Sequence, residues 1–411
     1  GQKNTSSGRF SAIMGGSGNV TLGVATFIGG GINNTAGGSG TGAFIGGGKN
    51  NRAKGDFSAI VGGSSNRSLA KNSFIGSGKG NTTYLSAFNS CVVAGKYNSI
   101  SGKSSVILAG SYNLVDANYG AIAAGTYNKI ANFSKYSFVG GGAYNYIKGD
   151  YSVIIAGKCN KNYGVSSTIA AGRSNLIGPL TEATFIAAGK NNQIKGTSVQ
   201  SFIGAGKGNE INSATYSFIG AGKYNRIYNG VTNSAIAAGG YNRCYSSDSF
   251  VACGRYNFVF GRQSAILSGQ YNTNRGTNSA VICGEFNVNH GDNSFIGGYY
   301  AYNNYRGCFV WADSSSNIQV APTSDNQFII RSSGGTYIFT GASLLTGVKL
   351  PPSATAWYSL SDRNLKTNLR EVDTMAIINK IEELPIYLWN IKSSVYDVGD
   401  GGVGGDGEVD G

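Results

Sequence analysis

Ser201-Phe-Ile-Gly-Ala-Gly-Lys-Gly-Asn209 and Ser217-Phe-Ile-Gly-Ala-Gly-Lys-Tyr-Asn225 are consecutive copies of one nine-residue pattern. Between Ser11 and Asn287 it recurs eighteen times: a small residue, any residue, Ile or Val, any residue, a small residue, Gly, two variable residues, Asn. The closing Asn residues are spaced by 15, 16 or 17 positions, and a degraded copy follows from Ser294 to about Asn303. The first slot is Ser or Thr in sixteen copies, with Ala43 and Gly120 as the exceptions. The third is Ile fourteen times and Val four times, the strictness expected of a position buried among identical neighbours. The slot before Gly holds only Gly, Ala, Ser or Cys, which predicts a close approach by another group. Gly itself predicts positive φ or backbone contact, and Asn predicts a turn residue that tolerates the left-handed region.

After Asn a second short apolar alternation often follows, as in Asn128-Lys-Ile130 and Asn225-Arg-Ile227. Each repeat therefore reads as strand, tight turn, strand, loop, with the length differences in the loop. A fixed period of this size means stacked units that each contact mainly the next. The expected fold is all-β: a parallel β-roll, or β-solenoid, of about 18–19 two-stranded rungs over residues 1–307. So small a coil encloses little core, and its outward Phe and Ala slots (Phe74, Phe202, Phe218) need another cover. Threefold self-association would provide it.

Composition agrees. The 411 residues include 65 Gly and 25 Tyr but only 5 Pro, with charged residues at 13%. Glycine without a G-X-Y period excludes collagen, and 41% hydrophobic content argues against disorder. No apolar run reaches the length of a membrane helix, so no membrane insertion is expected. The chain begins at Gly1 with no signal-peptide pattern and is read as a fragment or processed chain. Six Cys show no zinc spacing. With His290 the only His, a His-based triad is not expected and a multi-His metal site in one chain is excluded. Neither cofactor nor metal is expected. The net charge of +13 permits an anionic partner, but no nucleic-acid reading motif supports one of that kind. Gly204-Ala-Gly-Lys207 lacks the following Ser or Thr of a phosphate loop.

Ser-x-Ile-x-small-Gly-x-x-Asn at this spacing, over about 280 residues, resembles the head repeat of trimeric autotransporter adhesins and of phage and large-virus fibres. The resemblance implies a left-handed β-roll homotrimer that binds surfaces. Residues 308–360 read as a non-repetitive β neck, and Asp373–Ile386 as a helix ended by Pro385. Ser361-Asp-Arg-Asn-Leu-Lys-Thr-Asn-Leu-Arg370, that helix and Tyr387-Leu-Trp389-Asn390 resemble the intramolecular chaperone domain of phage endosialidases and tail fibres. Residues 361–398 are thus the start of such a domain, and 399–411 an acidic, Gly-rich disordered tail where members carry long helices. The resemblance implies single-turnover autocleavage between Leu360 and Ser361, with Ser361 as nucleophile and Lys366 as base; a desolvated lysine can take a hydroxyl proton. The chain is otherwise not expected to be an enzyme.

Candidate binding residues lie after the repeat Gly, where nine copies carry Lys or Arg and eight place Tyr next. Lys96, Tyr97, Lys223, Tyr224, Arg255 and Tyr256 represent this stripe, which could stack sugar rings and pair with acidic glycans. Solvated turn lysines and self-stacking tyrosines explain the same pattern without a ligand. Cys253 and Cys283, in the small slot, are expected to be buried. The sequence thus predicts a viral or phage receptor-binding fibre on a virion or other extracellular surface, with a host glycan or protein as partner. A bacterial adhesin and a polysaccharide depolymerase with an inter-chain active site are the rivals.

Overall fold

The computed structural model describes residues 1–38, 40–342, 344, 346–360, 368 and 370–385. These form two units, residues 1–333 and 334 onward. The first is a parallel β-solenoid. Two-residue strands such as Phe202–Ile203 and Phe218–Ile219 stack into a first sheet of 21 strands. The short strands after each Asn, such as Lys129–Ile130 and Tyr146–Ile147, stack into a second sheet of 20. Every pairing in both sheets is parallel and joins equivalent slots, for example Ile186 to Ile203 to Ile219.

The inward Ile or Val of the first sheet is fully buried from Ile28 to Val310, and meets the inward residue of the second sheet. Between Ile100 and Ile227 that partner is Ile or Val in all rungs but one, where Asn162 replaces it. Near the N-terminus it is small, as at Ala36, Ala53 and Ser68. From Ile13 to Val281, six residues separate each Ile slot from the next second-sheet strand across the Gly–Asn corner, and five do so after Ile296; five to seven cross the opposite corner. The length variation therefore falls at the loop corner, as the pattern predicts.

Two slots behave differently from their sequence reading. Asn is not the turn residue: all eighteen repeat asparagines are buried, at 0 or 1% exposure. The residue before each one takes the left-handed conformation, as at Tyr112, Tyr127 and Ser174. Asn160 shows the reason. Its backbone N–H donates to Asn145 Oδ1 at 3.1 Å, and its Nδ2 donates to the carbonyls of Ala156 and Gly172 at 3.2 and 3.0 Å. Its own Oδ1 accepts from the backbone N–H of Asn175 at 3.0 Å. Repeated down the stack, this is a continuous amide ladder. The adjacent Gly runs at φ 95° at Gly172, where a Cβ would strike the carbonyl oxygen of Gly189. Both readings of that glycine hold.

The small slot before Gly, by contrast, has no close neighbour within the chain: a Cβ at Gly30, Gly62 or Gly141 meets nothing within 4 Å. Cys253 in this slot is exposed and Cys283 only half-buried, which corrects their expected burial. Cys244 and Cys308 are the buried thiols, and burial pushes Cys244 up to about 12.

A serine ladder mirrors the asparagines at the opposite corner. Ser137 Oγ donates to the carbonyl of Gly149 at 2.9 Å and accepts from the Ser152 N–H at 3.2 Å. The residue before each of these serines is again left-handed, as at Tyr136 and Tyr151. Ser58 Oγ is the one buried side-chain polar atom without a hydrogen-bond partner among the described residues.

The expected boundary at Gly307 moves. Phe309–Ala312 and Phe328–Arg331 continue the first sheet, pairing as Phe295 to Phe309 to Phe328, so the stack persists after the sequence pattern has faded. Arg331 closes it. Its guanidinium donates to Asp313 Oδ1 at 3.0 Å and to the carbonyls of Tyr299, Asp313, Ser316 and Ile318. Hydrogen bonds from the Ser315 hydroxyl and the Ser333 backbone N–H hold the Asp313 carboxyl well below the usual carboxylate range.

In the second unit, Thr336–Phe339, Gly347–Leu350 and Tyr358–Ser359, all within the expected neck, form an antiparallel sheet. A helix spans Thr374–Glu382, capped by Asp373, whose Oδ1 accepts from the N–H groups of Met375 and Ala376. Met375, Ile377, Ile378 and Ile381 are all exposed on it.

Ile169→Asp buries a charge in the stack and should open neighbouring rungs to protease while distant rungs stay resistant; uniform resistance would refute the core assignment. Asn160→Ala strands the Asn175 N–H and the Ala156 carbonyl, at about 1–3 kcal/mol each, leaves Gly172 with only the Lys158 N–H, and should raise amide exchange chiefly in rungs 145–175. The end closure depends on an ionised Asp313 with a lowered pKa. Its contribution is complete above the ordinary carboxylate value of about 4 and is lost as pH falls through the lowered one. Amides of residues 299–331 should therefore exchange faster under strong acid than those of rungs 145–175, and Asp313→Asn, which removes the titrating group, should abolish this pH dependence.

Candidate functional site

The solenoid's two sheets present very different outer faces. On the first, the outward slots are those on either side of the Ile and the small slot before Gly. Over nineteen rungs from Ala12 to Phe295 none of these positions is charged, and Ser77, Thr168 and Ser268 are the only hydroxyl-bearing residues among them. Bulk is compensated across the Ile in the rungs that carry Phe, whereas Ala121 with Ala123 and Ala235 with Ala237 are small on both sides. Where the residue before Ile is Phe, the residue after Ile is Gly or Ala, as in Phe74–Gly76 and Phe250–Ala252. Where the residue after Ile is large, as at Met14, Val61, Leu108 or Leu267, the one before is Ala, Val or, at Cys91, Cys. The Phe ring lies over the glycine: a Cβ on Gly204 would sit 3.4 Å from Phe202 Cε1. The result is an uncharged, apolar face, reinforced by stacked rings such as Phe185, Phe202 and Phe218 at 5.3 and 5.4 Å.

The Gly–Asn corner carries the residues singled out from sequence. Lys96 and Lys223 are linked through an unbroken series of parallel bridges, eight rungs apart, or roughly 38 Å. Lys223 and Arg255 are two rungs apart, so Lys223, Tyr224, Arg255 and Tyr256 share one neighbourhood and Lys96 and Tyr97 another. Each cation folds over a ring of its own corner: Lys96 over Tyr97 at 5.6 Å, Lys223 over Tyr224 at 5.5 Å, Arg255 over Tyr256 at 5.4 Å. The tyrosines stack on one another, in one ladder from Tyr97 to Tyr144 and a second from Tyr224 through Phe286 to Tyr300. Each ladder starts on a glycine of the preceding rung, Gly80 under Tyr97 and Gly208 under Tyr224. Ring faces are thereby covered within the chain, and hydroxyl edges face solvent.

Beside the second ladder, the outer face of the second sheet adds residues that sequence reading passed over. Tyr228, Tyr245 and Phe260 stack at 4.3 and 4.4 Å. Arg243 Nη1 donates to Tyr245 Oη at 3.2 Å and its guanidinium covers Phe258, while Arg275 covers Phe260. Arg226 is paired with Glu210 at 3.0 Å, and Glu210 also holds Lys195 at 2.7 Å. Burial alone would raise the Tyr228 phenol, but hydrogen bonds from Arg226 and Tyr245 and the nearby arginine charges bring it below its ordinary value. Burial pushes Tyr245 up. Tyr224, Arg226, Tyr241 and Arg243 together line a groove of about 440 Å³. Their signal in the sequence is the slot after Asn, in Asn225-Arg226 and Asn242-Arg243, whose outward direction depends on the strand register. The groove offers guanidinium N–H donors and phenol edges to an anion or a polyol.

Ser361 and Lys366 lie outside the described residues. Among those described, no group of three or more His, Cys, Asp or Glu could hold a metal ion, and no helix is long and apolar enough to cross a membrane. The architecture defines a class, the parallel β-solenoids with an uncharged outer face and a basic, aromatic edge. No protein-family model matches the sequence, and no curated protein matches it.

Tyr127→Ala would uncover one ring face on each of Tyr112 and Tyr144. It should weaken rungs 112–144 by about 1–1.5 kcal/mol, seen as roughly tenfold faster local amide exchange; unchanged exchange would mean that the ladder contributes nothing to the stack.

Proposed function

We propose that the chain is the shaft of a homotrimeric fibre, of viral or phage origin, that attaches to a cell surface. The observation that carries this reading is the uncharged first-sheet face. It is roughly 90 Å long and about 10 Å wide, on the order of 900 Å² per copy, comparable to the ~800 Å² that each partner buries in a stable interface. A monomer would leave that area in water. The small slot supports the same conclusion: nothing within the chain requires Gly, Ala, Ser or Cys there, whereas a neighbouring copy would. The exposed apolar residues of helix Thr374–Glu382 likewise suit a partner helix. With the apolar faces turned inward, the second-sheet face and the corner ladders point outward, and the groove at Tyr224–Arg243 becomes the surface available to a host glycan or protein. The resemblance of residues 361–390 to phage chaperone domains favours a virion component over a bacterial adhesin; capsid or tail genes beside its own would agree. A depolymerase would require carboxylates placed in inter-chain grooves.

Native and denaturing mass measurements should differ threefold, and a monomeric native mass would overturn the assembly. Cys253 gives a finer test because it is exposed in the single chain and lies on the apolar face. In the assembled protein it should resist alkylation and react on dissociation, whereas Cys244 should react only on unfolding. Fast labelling of Cys253 in an intact trimer would place the interface elsewhere. Labelled protein should bind some member of a panel of bacterial and protist cells, and binding should fall when surface glycans are stripped enzymatically. In the full-length parent, Ser361→Ala should remain uncut on a denaturing gel; a cleaved mutant would rule out Ser361 as nucleophile.

A further inference from the structure

On the outer face of the second sheet, cations find partners in the chain at several places: Lys129 pairs with Asp116 at 3.4 Å, Lys195 and Arg226 share Glu210, and Arg243 and Arg275 cover aromatic rings. Arg52 and Arg67 break this pattern. They are direct register partners, so their side chains leave the sheet about 4.8 Å apart. Neither has a carboxylate within 4.0 Å or a ring beneath it among the described residues. Lys54 adds a third cation on the same face. Like charges directly opposite on adjacent strands destabilise a sheet. Asp56, close in sequence, is engaged elsewhere, accepting from the Thr41 N–H at 2.8 Å.

Two grooves meet at this guanidinium pair. One, about 600 Å³, runs to Asn33, Asn50 and Ser65, which occupy the corner position filled by tyrosine in the aromatic ladders. Short polar side chains there leave the space open. The other, about 380 Å³, runs from the same two arginines to Leu69 and Leu85, the latter 72% exposed. Guanidinium forks match carboxylate and sulfate oxygens, amides and hydroxyls match sugar hydroxyls, and the leucines match a small apolar substituent.

We infer that Arg52 and Arg67 form a second binding site, for an acidic saccharide bearing an N-acyl group. Its oxyanion sits between the two guanidiniums, its ring hydroxyls on Asn33, Asn50 and Ser65, and its acyl methyl on Leu69 and Leu85. The choice of a saccharide rests on the surface-attachment reading; the oxyanion rests on the arginine pair alone.

The test is calorimetric titration of the purified protein with three N-acetylated oligosaccharides: hyaluronan (carboxylate), desulfation-controlled keratan sulfate (sulfate) and chitotetraose (neutral). At least one acidic probe should bind and the neutral one should not, and which acid binds identifies the oxyanion. Arg52→Thr with Arg67→Thr should weaken that binding about 30-fold or more. Threonine is the outward residue of the flanking rungs, at Thr35 and Thr82, so the double variant keeps a side chain that these strands already carry. Lys190→Thr with Lys207→Thr removes equal charge elsewhere and should change affinity less than about twofold at physiological salt, where screening acts within about 8 Å. Failure of both acidic probes to bind, equal binding of chitotetraose, or equal loss in the lysine variant would each overturn the site. If the arginine variant loses saccharide affinity yet still attaches to cells, the groove stands and cell attachment belongs to another surface; if it retains affinity, the groove falls whatever the cells show.

Discussion

The buried asparagine ladder is the constraint on which the rest of the fold depends. A two-stranded coil has strands only two residues long, too short for ladder hydrogen bonds alone to fix the register. An amide at every Gly–Asn corner donates within its own rung and to the next, and accepts from the next rung's backbone, so no rung can slip without stranding buried polar atoms. The neighbouring glycine follows from the same geometry, because its carbonyl is one of the oxygens the amide must reach and no Cβ fits between successive copies. With the serine ladder at the opposite corner, the polar framework specifies the rung outline and leaves the isoleucines to fill it.

This division of labour explains what could be read in advance. The Ile slot was legible because it is chemically strict and periodic, and it alone sufficed for a parallel solenoid. The Asn slot was equally strict, yet its role was misread, because asparagine near glycine is ordinarily a turn residue and burial of a polar side chain is intelligible only once its partners are placed. The left-handed residue before the first slot of each repeat could not be seen at all: Phe10, Asn72, Tyr119 and Gln200 occupy equivalent positions and share no chemistry. The end of the solenoid was placed too early for a related reason. Pairing of Phe309 and Phe328 onto the stack needs only outward apolar bulk and an extended backbone, and the Gly–Asn corner that defines the pattern is missing there.

The candidate sites show the same limit. Lys96, Lys223 and Arg255 were visible as members of a slot, and the structure gives each a ring to cover, so the most conspicuous stripe is largely self-satisfied. Arg226, Arg243, Arg52 and Arg67 occupy a slot that elsewhere holds Thr, Ser, Val, Leu, Phe, Tyr, Gln, Glu or Lys, and no pattern marks them. What distinguishes them is which rung lies alongside. Glu210 beside Arg226 yields an ion pair, Phe258 beside Arg243 a stacked cation, and Arg67 beside Arg52 an unmet charge. Function on a solenoid is written in neighbours one rung away, about fifteen residues off in sequence, and register has to be known before those neighbours can be named.

Register also determines how such a surface can change. Each rung contributes its own pair of outward residues and contacts mainly its two neighbours, so a substitution in an outward slot of the second sheet alters one strip of surface about 4.8 Å wide and leaves the amide ladder intact. The first-sheet face has no such freedom: a Phe before the Ile goes with Gly or Ala after it, and a charge there would interrupt a face that carries none. A chain built this way can vary its polar face rung by rung while its apolar face stays uniform. The alternation along this molecule of short polar corners, an aromatic ladder, short polar corners again and a second aromatic ladder is the pattern that such independence produces.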